Sequence, residues 1–314
     1  MKIFFVVFSL IFAIANSAPA EDPENINPKF DAYRDTRLLL QTRRNRLEPV
    51  QINFRNENSL LASPFDPSKP TRFLIHGWRQ DDESDISTET SLVLLNHYDY
   101  NVIFVDWSLG AGTINYIAAA GRVEPVGFFV ASQLNWMREN NFVNFDTVGI
   151  IGFSLGAHIA GHIGKNTNGL IDTIIGLDPA GPLFAERRPD GRINTGDARY
   201  VECLHTNGGL TGAGIGAAIC DADFFPNGGS SQPGCLLPGC SHGRAVDFYM
   251  ESIQRNGFHS VRCDTERQAS RENCNSGGGQ WFGGEPSNSR HNLRGIFSFR
   301  TNRNPPFSQG PWLN

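Results

Sequence analysis

The sequence predicts an α/β fold, a mostly parallel central sheet flanked by helices in a single domain. Two observations carry that prediction. Short apolar runs rich in β-branched and aromatic residues recur at 73–75, 102–107, 148–153, 171–177 and 200–204, and helix-compatible stretches at 86–97, 122–140 and 155–165 lie between them. Alternation of this kind marks βαβ units and a buried parallel sheet. The residues with chemistry in their side chains follow the strand ends: His76-Gly77-Trp78, Asp106-Trp107, Ser154, Asp178-Pro179 and His205. Sheets of this class bind their ligands there.

In chain order, the first element is a leader. Met1-Lys2-Ile3-Phe4-Phe5 opens an apolar run to about Ala15, and small residues follow through Ala20. This is the pattern of a secretory signal peptide over 1–20, too short to span a bilayer, and it predicts a secreted, extracellular protein. Residues 21–64 are polar and read as a loose N-terminal arm; the remaining chain, 65–314, reads as the one domain. Within it, Gly208 to Gly243 is rich in Gly, Pro and Cys and reads as a set of excursions. A helix is expected to resume over Arg244–Gln254, and a last strand over Gly295–Arg300 precedes Pro305-Pro306.

Composition narrows the function classes. A net charge of −5 offers no electrostatic footprint for nucleic acid or for a strongly anionic membrane. No later segment is apolar enough to be a transmembrane span. The six cysteines, at 203, 220, 235, 240, 263 and 274, are an even count suited to disulfides in a secreted chain. Of the possible pairings, Cys203 with Cys220, Cys235 with Cys240 and Cys263 with Cys274 is the simplest. No C-x-x-C pair or His-rich set accompanies them, so neither a metal nor a cofactor is expected.

The chemistry centres on Gly152-Phe153-Ser154-Leu155-Gly156, which follows an apolar strand and precedes a helical segment. That is a nucleophile elbow, G-x-S-x-G in its strand–turn–helix setting, and it nominates Ser154. A serine hydroxyl needs a histidine base and a carboxylate to orient it. In chains with this elbow the order is serine, acid, histidine. Asp178, directly after the strand ending at Leu177, suits the acid; Asp106 precedes the serine and suits it badly. The later histidines are 205, 242, 259 and 291. Spacing favours His242, in the loop Gly239-Cys240-Ser241-His242-Gly243, while His205 reads as a supporting residue. His158 and His162 read as packing. The oxyanion hole requires two backbone N–H groups; those of Leu155 and Trp78 are the natural donors.

With these residues placed, the chain resembles the pancreatic lipase family of secreted lipases and phospholipases, within the α/β-hydrolase superfamily, and especially its insect members. The matching stretches are Phe73-Leu74-Ile75-His76-Gly77-Trp78, Val105-Asp106-Trp107, Gly152 to His158 and Gly176-Leu177-Asp178-Pro179-Ala180-Gly181-Pro182. His205-Thr206-Asn207, Asp223 to Gly229, Gly234-Cys235 and Cys240-Ser241-His242 continue the match, which runs from about residue 65 to 307. The resemblance implies an α/β-hydrolase fold, the triad Ser154, Asp178 and His242, and oxyanion donors on Trp78 and Leu155.

The chain departs from the family pattern in several places. The family's C-terminal β-sandwich is not expected here. The lid is reduced to Leu236-Leu237-Pro238-Gly239 between Cys235 and Cys240. Phe153 stands where the family commonly has His before the serine. Asn194 and Pro189 stand where relatives that bind calcium carry carboxylates, which argues against that ion. Among relatives, short lids accompany phospholipases that cleave the sn-1 ester, and long ones accompany triacylglycerol lipases. The reading is therefore a serine hydrolase of lipid esters, phospholipase A1 foremost and triacylglycerol lipase second, working at a peripheral lipid surface. A catalytically silent storage protein, like the insect yolk proteins of this family, is a different class of function, and a serine peptidase is a weaker one.

Overall fold

The computed structural model describes residues 29–255, 257–275, 277, 279–285 and 292–310. The expected leader over 1–20 and His291 lie outside them. Eleven strands form one sheet. In chain order they are β1 (Arg37–Gln41), β2 (Val50–Ile52), β3 (Thr71–Ile75), β4 (Asn101–Asp106), β5 (Val148–Phe153), β6 (Thr173–Leu177), β7 (Tyr200–Leu204), β8 (Ala222–Pro226), β9 (His259–Cys263), β10 (Gln280–Trp281) and β11 (Gly295–Phe299). Their order across the sheet is β10-β9-β11-β8-β7-β6-β5-β3-β4-β1-β2. The run from β11 to β4 is parallel throughout; β1, β2, β9 and β10 pair antiparallel at the two margins.

Both faces of the sheet are covered. Four helices do most of this: α1 (Thr88–His97), α2 (Val123–Glu139), α3 (Leu155–Asn166) and α4 (Cys240–Gln254). The strands alternate sides with period two. Phe73, Ile75, Ile103 and Val105 join the core beneath α2 and α3, whereas Leu74, Val102 and Phe104 join the core beneath α1 and α4. Strands buried on both faces must be apolar at every position, and those are the runs the sequence displays.

Within the arm expected to be loose over 21–64, the described residues, from 29 onward, include strands of the sheet. Leu38 and Leu40 enter one core and Leu39 the other, and β1 extends the sheet beyond β4 in the register Leu38↔Val105. Its polar flanks conceal a strand only five residues long. β8 is likewise a regular strand inside the stretch read as excursions, because its partner β11 arrives from far downstream.

One buried ion pair fastens the far end of the sheet. Arg72 of β3 makes a two-pronged contact with Glu285, Nε to Oε1 at 3.1 Å and Nη2 to Oε2 at 2.7 Å, with both side chains almost wholly buried. Tyr100 and Tyr249 donate their hydroxyls to the same carboxylate, and the Tyr98 hydroxyl donates to the Glu285 carbonyl. Burial would lower the Arg72 pKa, but the Glu285 charge and hydrogen bonds raise it further above its ordinary value. Removing one member of a buried pair strands the other charge in a low-dielectric site. Glu285→Ala should therefore lower unfolding stability by about 3–5 kcal/mol. Arg72→Met combined with Glu285→Leu should recover most of that loss. Urea unfolding midpoints measure both, and a single variant as stable as wild type would show that the pair does not hold this end.

Candidate active site

Ser154 closes the turn between β5 and α3 with φ 57° and ψ −119°. Such a conformation is uncommon for a residue with a side chain and is stored at sites where surrounding contacts enforce it. The enforcement is visible. Glycine at 152 and 156 is obligatory, since a Cβ at 152 would lie 2.3 Å from the Gly156 carbonyl oxygen and one at 156 would lie 2.2 Å from that of Ile75. The Ser154 amide donates to the Leu177 carbonyl at 3.0 Å, and its carbonyl accepts from the Ala180 amide at 3.2 Å.

The sheet ladder continues one residue past neighbouring strand ends. Ser154 N–H reaches Leu177, Asp178 N–H reaches Leu204 at 2.7 Å, and His205 N–H reaches Phe224 at 2.8 Å. This places Ser154 and Asp178 side by side on adjacent strand ends. Asp178 is wholly buried. Its Oδ1 accepts from the amides of Thr206 at 2.7 Å and Asn207 at 3.0 Å, leaving Oδ2 to meet His242 Nδ1 at 2.5 Å. The His242 ring lies 4.6 Å from that of Phe153, the residue before Ser154. Among the described residues the Ser154 hydroxyl has no hydrogen-bond partner. In free enzymes the nucleophile–base bond is commonly long and tightens only with substrate.

His242 sits in the first turn of α4, which begins at Cys240 and not at 244 as the sequence suggests. The disulfide Cys235–Cys240, with Cα atoms 5.4 Å apart, fixes the start of this helix, and the Gln232 amide donates to Ser241 Oγ at 2.9 Å. Cys203–Cys220 and Cys263–Cys274 complete the expected pairing, at Cα separations of 5.8 and 4.7 Å. Between Cys235 and Cys240, Leu236 and Leu237 face solvent.

The other candidates fall elsewhere. His205 is buried against Asp223, Nε2 to Oδ1 at 2.8 Å, with Nδ1 on the Ile215 carbonyl at 2.8 Å. Burial alone would lower its pKa, but Asp223 raises it above the ordinary value. Its carboxylate partner is thus not the one that orients His242. His259 packs on Trp281. Asp106 bonds Arg37 and the Ser108 amide. Asp197 pairs with Lys165 Nζ at 2.6 and 2.7 Å. The residues that single-site reasoning did not assign are Thr206 and Asn207, whose amides hold Asp178; the motif His205-Thr206-Asn207 was the signal for them.

Two backbone N–H groups stand at the elbow and on the loop after β3. Leu155 N–H opens α3, and Trp78 N–H lies on the loop after β3, whose indole donates to the Thr113 carbonyl at 2.7 Å and packs edge-on to Tyr116. Among the described residues neither amide has a protein acceptor. The constellation can therefore deliver a hydroxyl to a carbonyl, take its proton, and receive negative charge on oxygen.

His158, on α3 behind the serine, ties the elbow to the loop that follows Asp178. Nε2 faces the Ala180 carbonyl at 2.8 Å and Nδ1 accepts from the Ile193 amide at 3.3 Å. A proton added to Nδ1 would confront that amide. Full burial holds the pKa down at about 3. The unfolded chain takes this proton near the ordinary histidine pKa of about 6.5, so stability present above that value is lost as pH falls toward about 3. The slope for one such group approaches ~1.4 kcal/mol per pH unit. His158→Gln should unfold at a denaturant midpoint that falls less steeply between pH 6 and 4 than wild type. Parallel slopes would remove His158 from the acid response.

The chain is similar to known proteins. The family described as Lipase matches residues 12–283. Lipase member H-A of Xenopus laevis is 37% identical over 228 residues, 70% of this chain and 48% of that protein. Lipase member H of Danio rerio is 38% identical over 261 residues, 78% and 55% of the two chains. Pancreatic lipase-related protein 2 of Cavia porcellus is 34% identical over 266 residues, 81% and 58%. The chain spans about half the length of these curated relatives.

Proposed function

The chain belongs to the lipase family, and from that premise we propose that it is a serine hydrolase of lipid esters, specifically a phospholipase of the A1 type. The observation that carries the hydrolytic reading is the Asp178–His242 bond at 2.5 Å, with the second Asp178 oxygen tied to two backbone amides. That arrangement directs Nε2 of His242 away from Asp178 as the free base. In this mechanism Ser154 Oγ attacks the ester carbonyl carbon while its proton passes to His242 Nε2. The carbonyl oxygen becomes an oxyanion held by the N–H groups of Leu155 and Trp78. Collapse of the tetrahedral intermediate breaks the ester C–O bond, and the leaving alcohol takes the proton from His242. Water, activated by the same histidine, then releases the fatty acid from Ser154.

The short loop between Cys235 and Cys240 supports the phospholipid assignment. Leu236 and Leu237 project into solvent, so four residues leave space at the rim for a bulky polar headgroup. Leu210 is fully exposed as well, while Ile215 and Ile219 in the same segment are buried. A wall made this way is partial. Triacylglycerol, with three acyl chains and no polar headgroup, favours a deeper covered groove. The leader over 1–20 and the three disulfides support an extracellular setting, where the substrate would be met at a peripheral lipid surface.

Ser154→Ala should leave the fold intact and lower ester hydrolysis at least about a thousandfold, because the covalent route closes while binding remains. An alkyl phosphonate probe should label Ser154 and no other serine; an unlabelled wild type would favour the storage-protein reading. For substrate class, phosphatidylcholine labelled separately in its two acyl chains should release mainly the sn-1 chain, faster than triolein is hydrolysed. Release from sn-2, or a strong preference for triolein, would overturn the A1 assignment and leave the serine mechanism standing.

A further inference from the structure

We infer that His76 is a positioning residue that aims the Trp78 amide at the reacting carbonyl oxygen, an inference that rests on the hydrolytic reading above. Two peptide units, 76–77 and 77–78, carry four backbone polar groups, and each needs a partner. The His76 carbonyl accepts from the Trp107 indole N–H at 3.0 Å. The Gly77 amide donates to Gln80 Oε1 at 2.8 Å. The Gly77 carbonyl faces His76 Nδ1 at 2.9 Å. Three of the four groups are thereby occupied, and the fourth is the Trp78 N–H, which has no protein acceptor among the described residues.

The chemistry of the imidazole fixes the direction of that fourth group. His76 Nε2 receives the Trp107 backbone N–H at 3.2 Å, so this nitrogen is the acceptor and Nδ1 carries the hydrogen that reaches the Gly77 carbonyl. The Gly77–Trp78 peptide is trans and planar, and its C=O and N–H therefore point in opposite directions. Pulling the carbonyl toward the buried imidazole turns the amide hydrogen outward. The loop itself lies against Ser154: a Cβ built on Gly77 would lie 2.8 Å from the Ser154 Cβ. The ring itself cannot swing, since it is wholly buried between Phe104 and Trp107 at centroid distances of 5.6 and 5.4 Å.

A packing role alone would be met by any side chain of similar volume. An orienting role demands a donor at the Nδ1 position. Asparagine places its amide nitrogen near Nδ1, glutamine near Nε2, and leucine supplies neither. The test is kcat and KM on a water-soluble p-nitrophenyl ester, with active sites counted by phosphonate titration, together with inhibition by an alkyl boronic acid, whose tetrahedral anion on the serine occupies the oxyanion hole. Loss of one oxyanion donor costs about 10²–10³ in kcat. His76→Leu and His76→Gln should lose roughly a hundredfold in kcat and a comparable factor in boronate affinity, with KM within about threefold of wild type. His76→Asn should recover kcat to within about tenfold. If His76→Leu fails to fold, the Asn–Gln comparison decides alone. Equal activity of the Asn and Gln variants, or a loss confined to KM, would overturn the inference. A wild type that neither hydrolyses the ester nor takes the phosphonate would overturn the hydrolytic reading itself.

Discussion

At Gly156 the first turn of α3 approaches the end of β3 so closely that a methyl group would sit 2.2 Å from the Ile75 carbonyl oxygen. At Gly77 the loop after β3 approaches the serine side chain so closely that a methyl group there would sit 2.8 Å from the Ser154 Cβ. These two contacts have no side chain between them, and the other features of the site depend on that. The elbow backbone is pressed against the loop after β3 that carries Trp78, so the placement of that loop beside the serine is set by van der Waals contact. Close-packed interiors do not relax around such contacts. The strained conformation of Ser154 persists because helix, strand and loop each hold one side of it.

Hydrogen bonding completes what packing begins. Around the serine nearly every backbone group is spent: Ser154 N–H on Leu177, Ser154 C=O on Ala180, Asp178 N–H on Leu204, and both amides after His205 on one Asp178 oxygen. Groups left over in such a network are conspicuous, because an unpaired buried donor is costly. Among the described residues the leftovers here are the Leu155 and Trp78 amides, together with the serine hydroxyl. The same economy operates at the opposite end of the sheet, where Glu285 gathers Arg72 and three tyrosines. One network gathers an ion pair at the end of the sheet, and the other leaves polar groups beside the serine without a protein partner among the described residues.

What the sequence revealed follows from this division. β3, β4, β5 and β6 were legible because strands buried on both faces are continuously apolar, and the elbow was legible because its glycines have no substitute. β1 was not. Its three leucines also serve both cores, but they stand in a polar stretch with no helix after them, and their pairing partner β4 lies some sixty residues away in the chain. β8 was hidden by glycine and cysteine neighbours, its parallel partner β11 being equally remote. Spacing favoured His242 over His205, but spacing cannot show which carboxylate each histidine meets, and in the structure both meet one. The choice is made in three dimensions: Asp223 takes His205, and Asp178 takes His242. The start of α4 was misplaced for a related reason, because a disulfide and a side-chain hydroxyl, not helix propensity, stabilise the turn that carries His242.

The depth of the site bears on how water is kept from it. A long lid ordinarily supplies that exclusion by closing over the substrate. In this chain the four-residue loop is turned outward, yet Ser154 is only 8% exposed and the His242 side chain 15%. The shielding comes from fixed parts of the fold: the Phe153 ring against the imidazole, the Trp78 indole pinned to Thr113 and Tyr116, and the segment that returns to Asp178 through Thr206 and Asn207. Electrostatic interactions gain strength where water is kept out, so donors fixed in such a pocket stabilise an oxyanion without first having to reorganise. A pocket shielded by fixed walls is formed without the movement of a cover, and what enters it is limited by the rim, where Leu236 and Leu237 are exposed.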